Sequence, residues 1–382
     1  MKNNVIFLGC TNGYGYAFSA CNTKVEFMAK GLNEQGDICC IHNGLAGKPG
    51  LKQNEYKDFA GIGTVINYAC KGSWYISSFR NYNNLVKDLK RLLQPDMNNW
   101  VVLEAPYLPF YYLELLAARK SGYKVVVISH EWLRTMRDKN LLLRWMKHLY
   151  SFLFGYSVDA ILPISEYIIQ RIQKFNKPYL KVPVEADYAS IPNLEPRKRY
   201  FLYCVTAEYL RVILMVLGGF KEFSKSNPEY KMILVLAGQE HSINAVYKSI
   251  KELKLNDSVE IRQKIPYTEL VELYRTASAL IVPLDPDYKQ DEARFSQKIA
   301  EYLSSGTAII SNNVGEVRHY FKDKENILLN EYSEEGFCRS FVWVASNPQE
   351  AIRIGHNGYK VGQNNFDYRI CGKQLHNFLG SI

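Results

Sequence analysis

The stretch PFYYLELLAARKSGYKVVVISHE, Pro109 to Glu131, decides the fold. Its first part repeats apolar residues at the spacing of a helix. Its second part differs: Val125, Val126, Val127 and Ile128 are apolar without interruption, and all four are β-branched. A strand wetted on one face alternates apolar and polar residues, whereas a strand covered on both faces needs no polar positions. A helix followed by such a strand is part of a βαβ unit, whose sheet is parallel and lies between helices. The couplet recurs on either side. Upstream are the strand-like runs VIFLG, DICCIH and WVVLEAP, separated by the helical segments KVEFMAKGLNEQG and YNNLVKDLKRLL. Downstream, AILPIS and YLKVPV read as further strands.

The alternation pauses at EADYASIPNLEPRKRY, Glu185 to Tyr200, where prolines, polar residues and a basic cluster mark a linker. It restarts with YFLYCVT, KMILVLAG, VEIRQK, ALIVPL and AIISNN, with helical segments between them. A final amphipathic helix covers Phe366 to Leu379. A chain of 382 residues exceeds one compact core and suits two. The expected fold class is α/β, two Rossmann-like, doubly wound parallel-sheet domains in series, residues 1–190 and 191–365. Open parallel sheets bind ligands beyond the carboxyl ends of their strands. The expected site is therefore a cleft that the two domains face.

Composition narrows the class. Hydrophobic residues at 47% and charged residues at 22% fit a soluble globular protein. A net charge of +9 favours anionic partners such as nucleotide phosphates or an acidic membrane surface, or serves solubility alone; it falls well short of a nucleic-acid-binding tail, so no nucleic acid is expected. The eight cysteines are scattered with no CxxC pair, which points to reduced thiols, a cytoplasmic setting and no zinc site. The N-terminal LGC is too short in its apolar part for a lipoprotein signal, and no apolar run reaches membrane-spanning length.

Five motifs could carry chemistry. GCTNGYGYA, Gly9 to Ala17, follows the first strand, and Gly13 and Gly15 let a backbone approach a ligand closely or simply turn. A dinucleotide fingerprint fails there, because Phe18 holds the third glycine position and no acid ends the second strand. His130, with Glu131, ends a strand and could move a proton, contact a sugar, or fix a loop. LLLRWMKHLYSFLFGYS, Leu141 to Ser157, mixes apolar and aromatic residues with Arg144, Lys147 and His148; it reads as a packed helix or as one lying on anionic lipid. Asp285-Pro286-Asp287 is a DxD triplet, a metal candidate or an ordinary turn. In DEARFSQKIAEYLSSG, Asp291 to Gly306, a loop with two acids leads into a helix whose Arg294, Lys298 and Glu301 share one stripe, opposite Phe295, Ile299 and Tyr302. The N–H groups of Phe295, Ser296 and Gln297 at that helix start suit an anion, or the stripe is ordinary helix surface with a Lys298–Glu301 pair.

From Arg294 onward, RFSQKIAEYLSSGTAIISNNVGEVRHYFKDKENILL resembles the signature region of the retaining, nucleotide-sugar-dependent glycosyltransferases of family four, the group 1 type. Glu301, Gly306, the run AIIS, Gly315 and Asn326 match, and weaker likeness extends to VVVISHE, ILPISE and KVPVEAD. The resemblance implies a GT-B fold with the acceptor mainly on the N-terminal domain, which the helix of 366–382 rejoins, and the donor mainly on the C-terminal one. It implies that Glu301 accepts from the donor ribose hydroxyls, that base contacts are largely backbone near Ile265 and Pro266, and that Gly315 lies in the donor loop. Two positions depart from the family. Its first acid is replaced by Ala293, with Glu292 one place early. Its diphosphate Arg and Lys correspond to Thr206 and Arg211, so Arg294 and Lys298 are expected to compensate.

The expected function is transfer of a sugar, with retention, from a UDP- or GDP-linked donor to a hydroxyl of a glycan or lipid-linked acceptor, in cell-surface polysaccharide biosynthesis. His130, Arg211 and Lys298 are the expected catalytic residues. No metal or cofactor is expected, and the enzyme would sit in the cytoplasm or at the inner membrane face, touching it through 141–157. A nucleotide-sugar epimerase and a non-catalytic GT-B scaffold subunit are the rivals.

Overall fold

A computed structural model describes residues 1–11, 13–16, 19–104, 108–135, 140–189 and 197–382, with only the backbone of 108 and 109. Asn12, Ala17 and Phe18 of the Gly-rich loop, Ala105 and Pro106 after the third apolar run, Met136 and Arg137 after His130, and 190–196 of the linker lie outside the described residues. The chain forms two compact units: Met1–Ala186 with Ala293–Gln297 and Asn365–Ile382, and Asp187–Glu292 with Lys298–Asn364.

The first unit holds a seven-stranded sheet of β1 (Asn3–Leu8), β2 (Ile38–His42), β3 (Glu55–Phe59), β4 (Gly63–Asn67), β5 (Asn98–Leu103), β6 (Lys124–Ser129) and β7 (Ala160–Pro163), in the order β3-β4-β2-β1-β5-β6-β7. All neighbours are parallel except the β3–β4 hairpin at one edge. Val125 to Ile128 are buried on both sides of the sheet, as their unbroken apolar pattern requires. YLKVPV, expected as a strand, is not one. It runs beside β7, with the Leu180 N–H to Ile161 O at 3.2 Å and the Val182 N–H to Pro163 O at 3.0 Å. Pro183 has no N–H with which to extend the ladder.

Helix Tyr368–Ser381 packs on helix Ala20–Glu34 through two glycines. A Cβ on Gly31 would stand 2.4 Å from the Tyr368 carbonyl oxygen, and one on Gly372 would stand 2.4 Å from the Gly31 Cα. The same last helix is tied to the sheet by Asp37, whose buried carboxylate accepts from the Asn3 N–H at 2.8 Å and lies 2.8 Å from His376 Nδ1.

The second unit has six strands, all parallel: β8 (Tyr200–Thr206), β9 (Lys231–Ala237), β10 (Val259–Arg262), β11 (Ala279–Val282), β12 (Ile309–Asn312) and β13 (Leu328–Asn330), in the order β10-β9-β8-β11-β12-β13. Its core gathers Phe201, Phe220, Phe223, Phe337 and Phe341 between the sheet and helices Leu210–Ser224 and Glu334–Ser346.

Candidate active site

β8 ends at a half-buried Thr206, and the chain turns through Ala207–Tyr209 into helix Leu210–Ser224. Arg211, in the first turn, pairs with Asp285 in the loop after β11. Hydrogen bonding to Tyr332, just beyond β13, and the charge of Asp285 hold the guanidinium above its ordinary pKa. One exposed cation thus meets the carboxyl ends of three strands. Asp285 is itself fixed, since its N–H donates to Asp291 Oδ2 at 2.9 Å and its Oδ1 accepts from the Asp287 N–H at 2.9 Å. The DxD triplet is therefore an Asx-type turn that presents Asp285 to Arg211, a role that spacing alone did not reveal.

The helix expected from Arg294 is broken. A short helix, Lys289–Ala293, contains Asp291 and Glu292; Arg294 to Ser296 are non-helical; helix Gln297–Ser304 then begins. Packing within the first unit causes the break. Phe295 is buried with its ring 5.4 Å from that of Phe366, the Ala293 carbonyl accepts from Ser165 Oγ at 2.6 Å, and Gln297 Nε2 donates to the Glu185 carbonyl at 2.5 Å. These anchors outweigh one helical turn. Arg294 is consequently off the Lys298–Glu301 stripe, the Phe295 ring packs in the core as its apolar stripe requires, and the row of helix-start N–H groups begins at Gln297, which leaves those of Phe295 and Ser296 before the helix. Glu292 pairs with Arg318 at 2.7 Å.

Lys298 and Glu301 do share the face of helix Gln297–Ser304. Both are half-buried. Burial pushes the Glu301 carboxyl up to about 7, against the opposing effect of Lys298. The helix is pinned beside β8, where the Cys204 N–H donates to Tyr302 Oη at 3.3 Å and the Tyr302 and Tyr274 rings lie 4.9 Å apart. Glu301 is close enough to act on the titration of both Cys204 and Tyr274. Gly315 has φ 56°, and a Cβ there would meet the Asp291 carbonyl oxygen at 2.5 Å, so this turn needs glycine. Asn312 locks adjoining loops, accepting from the Leu284 N–H at 2.9 Å and donating to Asn330 Oδ1 at 2.8 Å. Ile265 is half-buried and Pro266 exposed at the start of helix Tyr267–Thr276.

In the first unit, His130 follows β6 with Nε2 3.3 Å from Glu104 Oε2, which follows β5. Burial drives His130 well below its ordinary pKa, while burial and then Glu131 push Glu104 up to about 8. Near neutrality His130 is thus an uncharged imidazole, a weakened base better suited to holding a hydroxyl than to taking its proton. Sequence reasoning missed Glu104 and the buried Lys24, which donates to the Val182 carbonyl at 2.9 Å; neither belongs to a motif. Gly13 (φ 67°) and Gly15 (φ 86°) shape the loop after β1, where the Tyr14 N–H donates to Asn43 Oδ1 at 2.8 Å.

Residues 188–361 match the family model described as glycosyl transferases group 1. The chain is a glycosyltransferase. The match spans the second unit and holds Arg211, Lys298 and Glu301. No curated protein matches the sequence. Among solved structures, Anabaena Alr3699/HepE in complex with UDP and glucose superposes with a TM-score of 0.72 at 12% identity, covering 100% of each chain. An alpha,alpha-trehalose-phosphate synthase (UDP-forming) from Burkholderia vietnamiensis gives 0.72 at 10% identity, covering 100% of this chain and 99% of that one. The sucrose-phosphate synthase of Thermosynechococcus elongatus gives 0.69 at 11%, covering 100% and 98%. Identity this low speaks to architecture: this glycosyltransferase has two parallel-sheet α/β domains of the GT-B fold.

Proposed function

We propose that this glycosyltransferase moves a sugar, with retention, from a nucleoside diphosphate sugar to a hydroxyl of a glycan or lipid-linked acceptor in cell-surface polysaccharide assembly. The observation that carries the reading is the convergence of Arg211 and the Lys298–Glu301 face on strand ends of the unit that matches the family. A carboxylate accepts from two adjacent hydroxyls, which suits Glu301 to a ribose. The chemical step chiefly needs charge stabilisation on the departing diphosphate, and Arg211 with Lys298 supplies it. The leaving phosphate takes the acceptor proton in this scheme, and His130 holds the transferred sugar, so the proposal includes no metal or cofactor. UDP as the nucleotide is supported by the HepE and trehalose-phosphate synthase structures.

Peripheral membrane contact belongs to the same proposal. No helix among the described residues is long and apolar enough to cross a membrane. Helix Leu141–Leu153, however, exposes Leu141, Leu142, Trp145 and Phe152, and Tyr156 follows on the same side. Burial, then the charges of Arg134 and Arg144, lower the pKa of His148, which places these cations together. An apolar stripe flanked by cations suits the surface of an anionic bilayer.

The scaffold reading has one observation behind it: Ala293, at the family's first acid position, is fully buried and cannot present an acid. A panel of UDP- and GDP-sugars, read by nucleotide release with and without acceptor glycans, separates the cases. Acceptor-dependent release, reduced about 100-fold in turnover by Arg211→Ala, supports transfer. Release or isomerisation without an acceptor supports an epimerase, and no stabilisation by any nucleotide supports a scaffold.

A further inference from the structure

A cavity of about 440 Å³ opens in the first unit where β4 ends and helix Trp74–Leu92 begins, beside the start of β3. No motif pointed to it. Three cations line it, Lys52, Lys71 and Arg80, and no carboxylate does. None of the three forms an ion pair among the described residues. The neighbouring Glu55 is outside the lining; its Oε1 pairs with Lys57 at 2.7 Å and its Oε2 is buried. The rest of the lining is rich in amides, and two of these are held in place: Asn81 Nδ2 donates to the Leu45 carbonyl at 3.0 Å and to Ser77 Oγ at 3.2 Å, while Asn54 Oδ1 accepts from the Ala69 N–H at 3.0 Å. The helix that borders the cavity has no acid in its first turn, so its positive end adds to the cations.

Each component selects a chemistry. Asn81 keeps its Oδ1 as an acceptor, and Gln53 and Asn84 bring amides that carry both a donor and an acceptor, which suits sugar hydroxyls. Unpaired cations without a competing acid select an anion and form charge-assisted bonds to it. The volume lies within the range of small-ligand sites. We propose that this cavity binds an anionic sugar unit of the acceptor, a sugar bearing a phosphate or a carboxylate. The proposal rests on the acceptor-transfer reading above and adds the charge of the acceptor to it.

Isothermal titration calorimetry with three probes tests it: glucose 6-phosphate for the phosphate source, tetragalacturonate for the carboxylate source, and maltotetraose as the neutral counterpart. Each is titrated with and without UDP. The proteins are the wild-type chain, the double variant Lys71→Ala/Arg80→Ala, Asn84→Ala, and Lys87→Ala as an exposed cation on the same helix outside the cavity. At least one anionic probe should bind, roughly tenfold or more tighter than maltotetraose, and the double variant should lose at least about tenfold in affinity. Asn84→Ala should weaken the probe less, and Lys87→Ala should leave it unchanged. Both substituted cations are exposed, so the variants keep the fold; a melting temperature equal to wild type confirms that. Binding of neither anionic probe, equal binding of maltotetraose, or an equal loss in Lys87→Ala overturns the proposal. A wild-type chain that binds the anionic probe but no UDP counts against the donor reading alone.

Discussion

Replacing Glu301 by Gln should make the enzyme more stable and less able to bind its donor. The folded chain raises this carboxyl from 4.5 to about 7 by burial, with Lys298 opposing. The native state therefore holds the proton more tightly than the unfolded chain does. Native stability from this group is greatest below the unfolded value near 4.5, declines as pH climbs toward 7, and is level above that. At roughly 1.4 kcal/mol per pH unit, the ionised carboxylate costs the fold at most about 3 kcal/mol at pH 8, less in proportion to the water it still touches. Glu301→Gln carries no charge and escapes this cost. For a domain of this size the gain corresponds to a melting point higher by up to about 10 °C. The same substitution removes a charged acceptor from the ribose site. A hydrogen bond to a charged group contributes about 1.5–3 kcal/mol, so UDP affinity should fall by roughly 10- to 150-fold. Differential scanning fluorimetry from pH 4.5 to 8.5 on both proteins isolates this carboxyl from Glu104, Glu114 and Glu185, which burial also pushes up to about 8. Equal melting points at pH 8 would refute the burial argument, and unchanged UDP affinity would refute the ribose role.

Gly31→Ala should lower stability by about 1–3 kcal/mol, because the new methyl would press on the backbone of the last helix rather than on a yielding side chain; chemical denaturation measures it, and a neutral result would mean that the two helices can separate freely. Trp145→Asp combined with Phe152→Asp should abolish co-sedimentation with phosphatidylglycerol vesicles while leaving turnover on a water-soluble acceptor intact. Full retention on vesicles would remove the membrane contact from the reading.

The sheets were legible wherever burial on both faces left an unbroken apolar run, as in Val125 to Ile128 or Ala279 to Val282. The β3–β4 hairpin was not, because Glu55 to Phe59 is an edge strand with charged, exposed positions, and nothing in EYKDF resembles a core. YLKVPV misled for the opposite reason: its apolar content reflects packing beside β7, but proline limits the ladder. Glu301 was legible through the likeness of its surroundings to a signature. Arg294 was misplaced because a helical period runs on across Arg294 to Ser296 in the sequence, and only the burial of Phe295 against Phe366, distant in the chain, interrupts it. The partnership of Arg211 with Asp285 joins residues more than 70 positions apart, beyond the reach of any local pattern.

The Gly31–Gly372 crossing also imposes an order of assembly. Strand β1 and helix Ala20–Glu34 are synthesised early, yet the helix that seals them with Leu375, Leu379 and His376 leaves the ribosome only after the whole second unit has been made. Until then Val25, Met28, Leu32 and the carboxylate of Asp37 lack their cover. The second unit is interrupted only by Ala293–Gln297 and can close before the first is complete. The usual order in which domains fold as they emerge is thereby inverted, because the first unit keeps one flank bare until its last helix is made.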